Sequence, residues 1–100
     1  MSAAATNLVS ELTQRGETLS FCESLTAGLA SATVASVPGA SAVLRGGLIT
    51  YATEVKSHFL RQPVADIEAA GVVSGDTALA MARAAVAETD ADWGLSLIHI

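Results

Sequence analysis

The chain alternates two kinds of apolar segment and lets neither grow long. Alanine-rich stretches such as "LTAGLASATVASV" and "TALAMARAAVAETD" have the composition and length of helices. Between them stand short runs, "TLSFC", "LITYA" and "WGLSLI", that read as strands. Glycine and proline punctuate the changes at Gly16, Pro38–Gly39, Pro63 and Gly71. This alternation predicts an α/β layered domain, a sheet flanked by helices, in the order α-β-α-β-α-α-β. Strand pairing does not follow from the order.

In detail, Leu8, Val9 and Leu12 fall at helical spacing, which predicts a helix from about Ala3 to Arg15, ended by Gly16. Thr18–Cys22 is the first strand. Leu25–Val37 is expected as a buried helix, with Gly28 inside it for close packing. Leu48–Ala52 is the second strand, and the two glycines ahead of it, Gly46 and Gly47, signal a bend or a close backbone approach. Glu54–Leu60 is helical, and Pro63 restarts a short helix to about Ala69. Ser74 caps a long helix to about Thr89. The last apolar run, from Trp93, is expected as a buried strand.

One hundred residues make one domain at most, and 51% apolar against 15% charged is enough for a packed core. The net charge of −5 argues against a nucleic-acid binder, which needs a basic footprint. A small anionic ligand is still allowed, because backbone amides can hold phosphate. Cys22 is the only cysteine, so no intrachain disulfide forms. The opening "MSAAATNLVSEL" lacks the charge and apolar run of a signal peptide, and no segment approaches the roughly 20 apolar residues of a membrane span. A cytoplasmic protein with no membrane partner is the expectation.

The chemistry-bearing residues concentrate in "FCESLTAG", Phe21–Gly28, where a strand gives way to a helix. In layered α/β folds ligands sit at the carboxyl ends of strands. A Ser or Thr in such a turn, Ser24 or Thr26 here, is ordinarily a helix cap. Lys56 is the only lysine and follows the strand that holds Tyr51. It is either a solvated helix residue or, with a lowered pKa, a base for a serine nucleophile. His58 and His99 have no nameable partner, so a Ser-His-Asp arrangement is weak. One Cys and two distant His give no metal-ligand spacing, and Asp90 and Asp92 read as a polar loop. The chain lacks a G-x-x-x-x-G-K-[ST] phosphate loop.

Together, "ESLTAGLASATVASVPGASAVLRGGLITYATEVK" and "AAGVVSGDTALAMARAAV" resemble the CinA C-terminal domain family, which includes nicotinamide-nucleotide amidases. The matching features are the E-S-C-T-G-G turn, the P-G-[SA]-S step, the G-x-[VI]-T-Y-x-x-x-x-K segment and the G-A-V-S segment. The resemblance runs from about Asn7 to Ser96. It implies hydrolysis of nicotinamide mononucleotide to nicotinate mononucleotide and ammonia, with no cofactor. By position it implies Ser24 as nucleophile and Lys56 as base, with Glu23, Thr26, Ser41 and Tyr51 binding substrate. The amides of the Ser24 turn would hold phosphate or an oxyanion. A small pyridine nucleotide is the expected partner, and a homodimer is allowed for. The alternatives are a non-catalytic nucleotide-binding or regulatory module and a domain portion with no function of its own.

This chain departs from the family turn at Leu25, usually Cys, and at Ala27, usually Gly, whose methyl is expected to crowd a phosphate. Family members also run on past the position of Ser96 into a T-G-x-A-G-P loop, where this chain reads "LIHI". The resemblance therefore implies that residues 1–100 hold the N-terminal portion of one such domain, with Leu97–Ile100 expected to be a non-native tail.

Overall fold

A computed structural model describes residues 2–98. Helix α1 spans Ala3–Arg15, strand β1 Leu19–Glu23, helix α2 Leu29–Ala35 and strand β2 Leu44–Ile49. Helices α3 (Thr53–Leu60), α4 (Val64–Ala70) and α5 (Gly75–Thr89) follow, and strand β3 (Trp93–Leu97) closes the order. A short 3-10 turn at Ala40–Ala42 precedes β2. Three helices separate β2 from β3, matching the three segments read there, although the order α-β-α-β-α-α-β counts only two. Arg61 in a left-handed conformation and Pro63 behind it part α3 from α4.

Gly16 and Ser74 act as the sequence predicts, and Ser2 adds a cap at the start of α1. The Ser2 side chain accepts from the Ala5 amide, and Gly16, at φ 66°, closes α1 in the left-handed conformation. The Ser74 side chain accepts from the Thr77 amide and starts α5.

The sheet is wholly parallel, in the order β2-β1-β3. β1 is central and every one of its residues is buried. Phe21 faces α1 and α2, in a core with Val9, Leu12, Val34 and Val43. Cys22 faces the opposite way, against Met81 and Ala85 of α5. The connection from β1 goes to one neighbour and the return to β3 crosses to the other. The carboxyl end of β1 therefore lies at a topological switch point, where layered α/β sheets open a crevice.

Three expectations need correction. The second helix starts at Leu29, not Leu25, because Ala27 (φ 52°) and Gly28 (φ 104°) are left-handed. Gly28 is thus the residue before the helix, and only Val34 of α2 is fully buried, so this helix is a surface layer. The second strand begins at Leu44 and ends at Ile49, continuing through Gly46 and Gly47 with an irregularity in its pairing to β1 between Leu44 and Gly46. The glycines serve close approach: a Cβ on Gly47 would stand 2.8 Å from the Ser31 hydroxyl. The last strand is not buried, since it lies at a sheet edge with Trp93 and Leu95 about half exposed. Of the proposed tail, Leu97 pairs with Glu23 in β3; His99 and Ile100 lie outside the described residues.

Candidate active site

Ser24 is the first residue beyond the central strand, and its amide donates to the Leu97 carbonyl at 2.8 Å. That bond extends the β1–β3 pairing by one step and fixes the backbone beneath the hydroxyl. Ser24 does not cap α2, which begins after Gly28 without a side-chain cap. Its hydroxyl meets Lys56 instead: Lys56 Nζ lies 2.9 Å from Ser24 Oγ.

Lys56 sits in the first turn of α3. Helical side chains tilt toward the N-terminus, and this one doubles back over the start of its own helix. There Nζ donates to the carbonyls of Thr50, at 2.7 Å, and Tyr51, at 3.2 Å. Thr50 is held in turn by its amide, which donates to the Glu23 carbonyl at 2.8 Å. Its hydroxyl lies 3.5 Å from the buried Cys22 sulfur. Lys56 is 2% exposed, and no carboxylate pairs with it among the described residues. Burial therefore pushes its pKa below the ordinary lysine value, opposed by the nearby Cys22. Burial likewise raises the Cys22 thiol, against the Thr50 hydrogen bond.

This geometry has a chemical consequence. In the neutral amine, two N–H bonds point at the Thr50 and Tyr51 carbonyls, so the lone pair is left facing Ser24 Oγ. A serine hydroxyl facing an amine lone pair is the arrangement of a nucleophile with its base.

Glu23 turns its carboxylate into its own chain. Its side chain is fully buried, and both oxygens are engaged by its own chain. Oε1 accepts from the Thr26 hydroxyl at 2.7 Å, the Gly28 amide at 3.2 Å and the Ala30 amide at 2.9 Å. Oε2 accepts from the amide and the hydroxyl of Ser31. Burial alone would raise its pKa, but the bonds from Ser31, Thr26 and the Ser31 and Ala30 amides outweigh it and hold the carboxyl below the ordinary glutamate value. The amides of Gly28, Ala30 and Ser31 are thus occupied by a carboxylate, while those of Leu25 and Thr26, directly after Ser24, are not.

Thr26 belongs to the same internal network. Ala27 is exposed. Tyr51 is 64% exposed, and it lines a cleft of about 200 Å³ together with Ser24, Leu25, Lys56, Val72 and Val73. Ser41 is not brought to this cluster: it sits in the 3-10 turn ahead of β2, at the amino end of the sheet, and is exposed. His58 is exposed and packs edge-on against Phe59, away from Ser24. Sequence reasoning missed Thr50 and Ser31. A polar residue ending an apolar strand was the available signal for Thr50; nothing in the spacing marks Ser31.

A family model described as the CinA C-terminal domain matches residues 1–98. The chain belongs to the CinA C-terminal domain family. A Streptococcus pneumoniae protein (strain ATCC 700669 / Spain 23F-1), provisionally named competence-damage inducible protein, is 46% identical over 96 residues. That match covers 96% of this chain and 23% of the relative. The crystal structure of the competence/damage inducible protein CihA from Agrobacterium tumefaciens superposes with a TM-score of 0.82 at 32% identity, covering 88% of this chain and 53% of that one. A competence or damage-inducible protein from Enterobacter asburiae gives 0.82 at 27% identity, covering 88% and 55%. This CinA-family chain therefore spans under a quarter of its curated relatives and about half of the solved chains.

Proposed function

We propose that this chain carries the nucleophile and base of an amidohydrolase acting on nicotinamide mononucleotide, with nicotinate mononucleotide and ammonia as products. The observation that supports this reading most is the buried Lys56 Nζ at 2.9 Å from Ser24 Oγ, with its other hydrogens taken by two carbonyls. Ser24 Oγ attacks the carboxamide carbon while Lys56 accepts the hydroxyl proton. Amides in the turn after Ser24 stabilise the oxyanion. Lys56 then protonates the departing nitrogen, ammonia leaves, and an acyl-enzyme remains. Water, deprotonated by Lys56, releases the nicotinate product. The apolar cleft walls, Leu25, Tyr51, Val72 and Val73, suit a planar pyridine ring. A phosphorylated nucleotide substrate fits a cytoplasmic setting and a role in pyridine-nucleotide salvage.

The test is ammonia release from nicotinamide mononucleotide by the parent, Ser24→Ala and Lys56→Met, each checked for folding by circular dichroism. The expected result is turnover by the parent, and a fall of about 100- to 10,000-fold in both folded variants. A folded Ser24→Ala protein that turns over at the parent rate overturns the reading.

A further inference from the structure

We infer that Glu23 is a positioning residue for Ser24, and that its carboxylate shapes the Ser24–Gly28 turn so that the Leu25 and Thr26 amides stay available to an oxyanion. The inference rests on the proposed role of Ser24 as nucleophile. It starts from the two oxygens of Glu23, which together accept three backbone amides and two hydroxyls. A fully buried carboxylate so engaged has no face left for a substrate.

What those bonds impose is a shape. They draw the backbone of Gly28, Ala30 and Ser31 toward the end of β1. The chain between must turn through left-handed Ala27 and Gly28, and α2 begins only at Leu29. The turn closes on itself through Ala27 N to Ser24 O, at 3.1 Å, and Leu29 N to Thr26 O, at 3.0 Å. The Ser24 amide is taken by Leu97. Among the described residues, the Leu25 and Thr26 amides, directly after the nucleophile, have no intramolecular partner. Preorganised amides of this kind stabilise a developing oxyanion because they need not reorient during the reaction.

The anchor requires two acceptor oxygens. In Glu23→Gln one becomes an NH₂ donor facing N–H and O–H donors, and the turn must relax. Thr26→Val removes a single bond to Oε1 and perturbs the same turn more gently.

The experiment is labelling of Ser24 by a fluorophosphonate, followed by mass spectrometry across pH. Ser24 Oγ forms the bond to phosphorus, fluoride leaves with its electron pair, and the hydroxyl proton passes to Lys56. The reaction passes through an oxyanion but does not depend on nicotinamide mononucleotide. In Glu23→Gln the maximal labelling rate is expected to fall about 100-fold, and in Thr26→Val about 10-fold, with half-saturating reagent concentration and pH midpoint unchanged. In the parent adduct, the Leu25 and Thr26 amide protons are expected to move downfield in the NMR spectrum. A folded Glu23→Gln protein that labels at the parent rate overturns the inference, as does a loss confined to half-saturation. If Glu23→Gln does not fold, Thr26→Val decides by the same criteria, and unmoved amide protons overturn the inference on the parent alone. A parent that labels but releases no ammonia overturns the substrate reading and leaves this inference standing. A parent whose Ser24 does not label overturns both.

Discussion

Lys56 and Ser24 stand 32 positions apart and meet through a side chain that folds back over its own helix start. Under the proposed mechanism only the neutral amine serves as base. Turnover efficiency should therefore rise with pH through a midpoint below the ordinary lysine value and then level off, because burial lowers the Lys56 pKa. A pH–rate profile with no rise through that range would contradict this role. Ala27 offers a second test at this scale. It holds φ 52°, a conformation that disfavours side chains by about 1–2 kcal/mol. Ala27→Gly relieves that strain but loosens the unfolded chain by about 0.4–1 kcal/mol, so a net gain of about 0.5 kcal/mol is expected in denaturant unfolding. A net loss would show the strain is absent. The sequence offered Ser24 and Lys56 as candidates but favoured a cap and a solvated lysine on local grounds. Only the family resemblance implied that the two meet, because their approach depends on the backbone carbonyls of Thr50 and Tyr51, which no local side-chain pattern encodes.

At the scale of elements, Glu23 ties the end of β1 to the start of α2. Its folded pKa lies below the unfolded value, so its stabilisation is present above the unfolded glutamate pKa and is lost as pH falls through the folded one. Acid unfolding of the parent should therefore steepen below about pH 4, the ordinary glutamate range. Glu23→Gln should weaken that acid dependence and lower stability at neutral pH by about 2–4 kcal/mol, read from pH-dependent denaturant melts. The glycines give a second contrast. A Cβ on Gly94 would collide with the Ala82 carbonyl and lie 2.8 Å from Val86 Cγ2, where α5 presses on β3. A Cβ on Gly75 meets nothing, at the first residue of α5. Gly94→Ala should cost about 2–4 kcal/mol, and Gly75→Ala should gain about 0.5–1 kcal/mol. The reverse order would contradict the packing of α5 on the sheet. The bounds of α1 and α5 were legible because their signals are local: the spacing of Leu8, Val9 and Leu12 with Gly16 behind them, and Ser74. The start of α2 was not, because a buried carboxylate holds the preceding turn. β2 was misplaced because Gly46 and Gly47 look like breakers, yet the strand continues through both, and Gly47 leaves room for Ser31 of α2.

At the scale of the whole molecule, the alternation of helix and strand composition made the layered α/β fold legible, while the strand order β2-β1-β3 arises only from tertiary pairing. That order leaves β3 at an edge, with Trp93 and Leu95 about half exposed beside α1. Such an edge invites self-association. The chain should sediment with concentration-dependent mass, and Leu95→Lys should reduce that dependence; equal behaviour would locate the contact elsewhere. The same three-strand arrangement buries Lys56, and because it is the only lysine its side-chain resonances are unambiguous. The central claim is that folding converts this lysine into a base held against Ser24. The direct measurement is an NMR pH titration of the Lys56 Cε and Nζ signals in the native protein and in denaturant. The account predicts a native midpoint below the denatured one, with the native titration perturbed by Ser24→Ala. A native midpoint at or above the denatured value, unmoved by Ser24→Ala, would contradict it.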